Sequence, residues 1–177
     1  MQRVMVIGGS GAGKSTFARD LSAKLGVPAV HMDRLFWEPG WIMAEEDVFL
    51  MRVREEIAKE SWVMDGNYSR TWPERLARAD TVIFLDTPTW LRFWRALWRT
   101  VSGYGKTRFD LAENCPERFD LGFLFGWVLK YRWSARRKAL SLMSPDGPAG
   151  HCERKQLSGR REVNQFLSDE AAAELTI

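Results

Sequence analysis

Eight residues near the start of the chain, Gly8-Gly-Ser-Gly-Ala-Gly13-Lys14-Ser15, constrain the fold more than any other feature. They satisfy the spacing G-x-x-x-x-G-K-[ST], and their flanks supply the context that a spacing alone lacks. Before them stands Val4-Met-Val-Ile7, a short apolar run that reads as a buried parallel strand. After them Phe17, Leu21 and Leu25 recur at a spacing of four, the apolar face of a helix that Gly26 and Pro28 stop. Glycines at 8, 11 and 13 let consecutive amides turn toward one phosphate, and the positive end of the helix reinforces that anion site. Lys14 supplies a cation for the β- and γ-phosphates, and the Ser15 hydroxyl supplies a ligand for magnesium. Gly8, Gly9, Ser10, Gly11, Ala12, Gly13, Lys14, Ser15 and Thr16 are therefore the expected cradle for ATP, or another purine nucleoside triphosphate, with Mg2+.

Further strands and helices alternate along the chain. Ala29 to His31 and Trp62 to Met64 read as short strands, and Thr81 to Leu85 as the clearest strand. Phe49, Val53 and Ile57 mark an amphipathic helix from Glu45 to Lys59. A helix from Thr89 to about Val101 carries Trp90, Trp94, Leu97 and Trp98 along one side. Aromatic residues at helical spacing are expected to face the core, leaving Arg92, Arg95 and Arg99 on the wetter side. Gly103 to Asp120 has no period and reads as a long functional loop, and Phe123 to Leu142 is helical again. His151 to Leu157 is a last strand by position, although unusually polar, and Val163, Phe166 and Leu167 mark a closing helix. This alternation predicts a parallel α/β sandwich in a single domain spanning residues 1–177.

The net charge of +3 conceals a strong asymmetry. From Arg92 to Lys138 there are 11 basic and 4 acidic residues, a balance of +7, whereas each flank carries −2. Such a block serves an anionic ligand or a nucleic-acid surface. No helix-turn-helix, zinc finger or RNA-binding signature accompanies it, so nucleic acid is the secondary expectation. No apolar stretch approaches the ~20 residues that cross a bilayer, and Arg3 to Ile7 reads as a first strand rather than a signal peptide. Cys115 and Cys152 lack metal-ligand spacing and read as reduced thiols of a cytoplasmic protein, monomeric or dimeric.

Three aspartates, Asp33, Asp65 and Asp86, fall at or just beyond strand ends, the edge of an open parallel sheet that holds ligands. Thr87-Pro88 makes Asp86 the best of them for a turn, and His31 reads as a packed or hydrogen-bonded histidine. Arg132 and Arg136 belong to a second basic cluster suited to charge on a transferring phosphoryl group.

The chain also resembles adenylate-kinase-like P-loop proteins of the DNA topology modulation family. The matching segments are Ile7 to Ser15, His31-Met-Asp33 with Phe36-Trp37, Gly40-Trp41, Trp62-Val-Met-Asp-Gly-Asn-Tyr68 and Cys115-Pro-Glu-Arg118. The resemblance implies a five-stranded parallel sheet in order 2-3-1-4-5 within a three-layer sandwich, an acceptor-binding insert and a helical lid at about 92–138. Asp65-Gly66 followed by Arg70 is similar to the Asp-Gly-Phe-Pro-Arg segment of adenylate kinases, which implies magnesium support by Asp65 and an acceptor-phosphate clamp by Arg70. Arg95 and Arg99 are similar to the paired lid arginines, the first stacking on adenine and the second touching phosphate. Asp33 is similar to the aspartate that shikimate kinases place near magnesium and the acceptor hydroxyl. The expected activity is phosphoryl transfer to a small acceptor. Asp33 would act on an alcohol, whereas Arg34 and Arg70 would hold a phosphate. The rival expectation is a nucleotide-dependent regulatory or DNA-associated NTPase.

Overall fold

The computed structural model describes residues 1–117 and 135–174. Five parallel strands form the central sheet: β1 (Arg3–Gly8), β2 (Ala29–His31), β5 (Trp62–Asp65), β6 (Thr81–Leu85) and β7 (Glu153–Leu157). Their spatial order is β2-β5-β1-β6-β7, which is 2-3-1-4-5 when only these five are counted. A small antiparallel hairpin, β3 (Trp37–Glu38) and β4 (Ile42–Met43), stands apart from the sheet. The described helices are α1 (Lys14–Leu25), α2 (Met32–Phe36), α3 (Glu46–Ala58), α4 (Trp72–Leu76), α5 (Thr89–Ser102), α6 (Ala135–Met143) and α7 (Arg160–Glu174).

Period-two alternation in β1 divides the core between the two faces of the sheet. Val4 and Val6 join Phe17 and Leu21 of α1, with Phe166 and Leu167 of α7 packed against them. Met5 and Ile7 join Phe49, Val53 and Ile57 of α3 and Leu142 of α6. Helices therefore cover both faces, which is why the inner strands are almost wholly apolar. The polar last strand follows from its position. β7 borders only β6 and forms the sheet edge, and of its five residues only Leu157 is buried. Arg154 Nη1 donates to the Ser144 carbonyl at 2.6 Å, and Lys155 pairs with Glu153 at 2.9 Å.

Two features differ from the sequence reading. The chain turns straight from β2 into α2, so Asp33 lies in the first turn of a helix rather than at a strand end. More consequential is the rotation of α5. Trp90, Trp94 and Trp98 are 66%, 61% and 73% exposed, while Arg92, Ala96 and Thr100 form the buried stripe. The aromatic stripe is thus not the core face. Its place is taken by Arg92, which lies against the glycine loop: a Cβ on Gly9 would strike its guanidinium, and one on Gly11 its carbonyl. Arg92 Nε also donates to the Thr87 carbonyl at 3.2 Å. Indole rings cannot fit where the helix approaches that backbone so closely.

The expected lid interval is only partly described. Its start is regular α5, its end lies in α6, and 118–134, including Arg132 and most of the Phe123 to Leu142 pattern, lies outside the described residues. Among the described residues, no helix is long and apolar enough to cross a membrane.

Candidate functional site

The glycine loop opens into a cleft of about 1150 Å³ at the carboxyl edge of the sheet. Gly11 and Gly13 take φ of 76° and 92°, the left-handed backbone that turns the loop into α1. The first amides of α1 have no intrahelical partner and meet the cleft with the positive end of the helix. Ser10, Gly11, Gly13, Lys14, Ser15 and Thr16 line the cleft, whereas Gly8, Gly9 and Ala12 are buried beneath it. Lys14 Nζ donates to the Gly9 carbonyl at 3.2 Å, so the ammonium lies over the loop. Burial lowers the Lys14 pKa, and the carboxylates of Asp65 and Asp33 oppose that shift.

Strand register assembles the acidic wall. His31 and Asp65 are neighbours across β2 and β5. His31 Nδ1 lies 2.6 Å from Asp65 Oδ1, and Ser15 Oγ donates to Asp65 Oδ2 at 2.8 Å. The turn after Asp65 is fixed from below by Arg75, whose Nη1 donates to the Gly66 carbonyl at 2.8 Å. Arg75 is fully buried, and that burial lowers its pKa to about 10. Asn67 fastens this turn to the glycine loop, accepting from the Gly8 amide at 3.1 Å and donating to the Gly8 carbonyl at 2.8 Å. Tyr68 reaches the remaining acid, its hydroxyl donating to Asp33 Oδ1 at 2.6 Å. Burial raises the Asp33 pKa, while the Tyr68 hydrogen bond and Lys14 pull it down.

Cations of the basic block share the cleft with these acids. Arg95, Arg99 and Arg108 line the cleft. Glu117 lies 3.1 Å from Arg99 and 3.2 Å from Arg108, and Arg108 also pairs with Asp110 at 3.1 Å. Burial lowers the Arg99 pKa, and the neighbouring Arg108 lowers it further.

Three expected acceptor ligands are placed differently. Arg34 is exposed outside the cleft lining, and its Nε donates to the Leu111 carbonyl at 3.3 Å. Arg136 is drawn onto Asp86 by a bidentate pair at 2.8 and 2.7 Å, outside the cleft lining. Arg70 does line the cleft, but it pairs with Glu46 at 2.6 Å and stacks over Phe36 and Phe49. In each case a nearby acid, carbonyl or ring engages the side chain. Conversely, Asn67, Tyr68, Arg75 and Arg108 carry no role in the sequence reading. Asn67 and Tyr68 lay within a matched segment, but nothing periodic marks the partners of the others.

The donor set suits magnesium. Ser15 and Asp65 present a hydroxyl and a carboxylate oxygen side by side, and a hard cation that keeps several waters needs few protein ligands. The described residues contain no cluster of three or more His, Cys, Asp or Glu side chains placed to hold a metal ion.

No protein-family model and no curated protein sequence matches the chain. Solved structures do. A shikimate kinase from Acinetobacter baumannii in complex with shikimate superposes with a TM-score of 0.59 at 17% identity, covering 99% of this chain and 94% of that one. A shikimate kinase from Bacteroides thetaiotaomicron gives 0.53 at 19% identity, covering 99% and 98%. The chain therefore shares the α/β fold of these structures, with its five-stranded parallel sheet.

Proposed function

We propose that this chain is a magnesium-dependent phosphotransferase, moving the terminal phosphoryl group of ATP or another purine nucleoside triphosphate to the hydroxyl of a small acceptor. The observation that carries this reading is Asp33 inside the same cleft as the glycine loop, with Tyr68 occupying one carboxylate oxygen and the other left for an acceptor. Of the two arginines expected to hold a phosphate acceptor, Arg34 lies outside the cleft lining, whereas Arg70 lines it, paired with the exposed Glu46.

The residues act by positioning and charge. The loop amides from Gly11 to Thr16 and the Lys14 ammonium hold the donor phosphates. Ser15 and Asp65 are the ligands for magnesium, which when bound neutralises phosphate charge and orients the terminal group. His31 and Arg75 hold Asp65 and the turn behind it. Asp33, its pKa raised by burial, takes the proton as the acceptor oxygen attacks phosphorus. The bond from phosphorus to the bridging oxygen breaks, leaving a nucleoside diphosphate and a phosphomonoester. Arg99 and Arg108 neutralise charge on the group in flight, and Arg95 adjoins the base or the outer phosphates. These arginines belong to a lid at about 92–138 within one nucleotide-binding unit.

The regulatory, DNA-associated reading needs the basic block as an open face. Among the described members, Arg92 is buried, Arg95, Arg99 and Arg108 line the cleft and Arg136 pairs with Asp86, while Lys106, Arg137 and Lys138 are exposed. Those placements favour the kinase reading over topology modulation. Incubation with γ-labelled ATP and separate panels of unphosphorylated alcohols and nucleoside monophosphates tests it. Label should move to an alcohol, and Asp33→Asn should slow transfer by about 10²–10⁴-fold. Transfer to a monophosphate alone, or none to either panel, would refute the reading.

A further inference from the structure

Cys115-Pro-Glu117 opens a segment that carries the resemblance, yet the donor, magnesium and acceptor ligands all come from elsewhere. Its first two residues fasten the β3–β4 hairpin. The Trp41 amide donates to Cys115 Sγ at 3.4 Å, and Trp41 Nε1 donates to the Pro116 carbonyl at 2.9 Å. Cys115 Sγ in turn donates to the Glu38 carbonyl at 3.4 Å. Glu117 is held by its own backbone, its amide donating to the Lys106 carbonyl at 3.0 Å and its carbonyl accepting from the Gly105 amide at 3.1 Å. Its buried side chain therefore meets the cleft from a fixed base.

That carboxylate is shared by two cations. One oxygen, Oε1, lies 3.1 Å from Arg99 Nε of α5 and 3.2 Å from Arg108 Nε of the 103–117 loop. After burial, Arg108 is the neighbour that most lowers the Arg99 pKa, so the two guanidinium groups repel each other. Both also lie within electrostatic range of Lys14 and Asp33, which places the pair at the reacting end of the cleft. Buried Asp110 stands 3.1 Å from the same Arg108 nitrogen, so the cluster holds two cations and two acids. Its cohesion is Coulombic: both Nε donors and Asp110 Oδ1 are buried without a hydrogen-bond partner among the described residues.

We infer that Glu117 is a positioning residue, whose carboxylate holds Arg99 and Arg108 side by side in the cleft before the nucleotide arrives. The inference rests on the phosphotransferase reading, which gives the two arginines their task. Like charges in a half-buried site move apart unless a counter-ion joins them, and a clamp assembled in advance needs no rearrangement during transfer. A guanidinium carries five N–H donors, so a contact at Nε leaves others for phosphate oxygens. Two other roles for the acid differ in sign. A competitor for phosphate would weaken ATP binding, and a scaffold would support affinity and turnover alike.

Glu117→Gln keeps the shape and the backbone contacts while removing the charge. ATP with magnesium is titrated calorimetrically into the full chain, and γ-label is followed to the panel alcohol that accepts it fastest. The cleft gains one positive charge, so ATP affinity should hold or tighten, whereas kcat should fall about 10-fold as the arginines splay. In an Arg99→Ala background, where no pair remains to be held, the same substitution should cost less than about 3-fold. Glu117→Asp draws the charge back by one methylene, should lower kcat with affinity kept, and serves if Glu117→Gln does not fold. A rise in both quantities, a parallel fall in both, an unchanged kcat, or an equal loss in the Arg99→Ala background would each overturn the inference. NMR of the arginine Nε–H groups reads the pairing without any acceptor. The signals lost in Arg99→Ala and Arg108→Ala identify the two residues, and both should move in Glu117→Gln; signals that stay put would overturn the pairing. No transfer to any alcohol, with those shifts present, would instead overturn the phosphotransferase reading.

Discussion

Replacing Asn67 by alanine should loosen the nucleotide cradle in a way that can be worked from two distances. Its side chain spans from the turn after β5 to the buried Gly8, accepting from the Gly8 amide at 3.1 Å and donating to the Gly8 carbonyl at 2.8 Å. Asn67→Ala orphans both backbone groups at once. Each buried group left unsatisfied costs about 1–3 kcal/mol, and partial water access places the pair in the lower half, about 2–4 kcal/mol. For a chain of this length that corresponds to a fall in Tm of about 4–16 °C. The glycine loop also loses its register against Asp65 and Ser15, so ATP affinity should fall with stability. Differential scanning calorimetry, with titration of ATP and magnesium well below the new Tm, measures both. A Tm within about 1 °C of the parent and unchanged affinity would show that the loop is held by other contacts.

Asp33 carries a cost that its removal should reveal. Its folded pKa lies above the ordinary 3.8 because of burial, so the folded state holds the proton more tightly than the unfolded state. Stability from this group is present at low pH and lost as pH rises through that window. At neutral pH Asp33→Asn should therefore raise Tm, by about 2–4 °C for each kcal/mol of burial cost relieved, while transfer collapses. A lower Tm in thermal melts would contradict the assigned sign. The same shift predicts that the acid limb of kcat/KM against pH lies above the ordinary carboxylate range, and that Asp33→Asn removes it. Arg99→Ala and Arg108→Ala should lower kcat by about 10²-fold, with smaller effects on ATP affinity, because charge on the phosphoryl group in flight is what they offset. Equal losses in kcat and affinity, measured by steady-state kinetics and calorimetry, would assign them to ground-state binding instead.

Much of the architecture was legible because it rests on local pattern. The loop spacing, its apolar strand and the Phe17, Leu21, Leu25 stripe located β1 and α1, and Phe49, Val53 and Ile57 located α3. The polar β7 was readable by position, although only the sheet order explains its composition. The orientation of α5 was not legible. A strongly two-faced helix announces that its faces differ without saying which turns inward, and the usual preference for buried aromatics pointed the wrong way. What decided it was backbone proximity: Gly9 and Gly11 leave a space filled by Arg92, a relation between residues about 80 positions apart. Arg34 and Arg136 lie outside the cleft lining for a similar reason, since their contacts to the Leu111 carbonyl and to Asp86 are invisible in one dimension, whereas Arg70 does line the cleft, beside Glu46. Asp65 and Ser15 come together because a strand end and the glycine loop meet at one sheet edge, and Asp33 lines the same cleft from the first turn of α2.

The central claim is that the glycine loop and Lys14 hold nucleoside triphosphate phosphates. Isothermal titration of ATP with magnesium into the full chain and into Lys14→Ala tests it most directly, with folding of both checked by circular dichroism. The parent should bind one ATP per chain and bind it more weakly with EDTA in place of magnesium, and the folded variant should lose most of the affinity. Equal binding by both proteins, or no binding by the parent, would contradict the account.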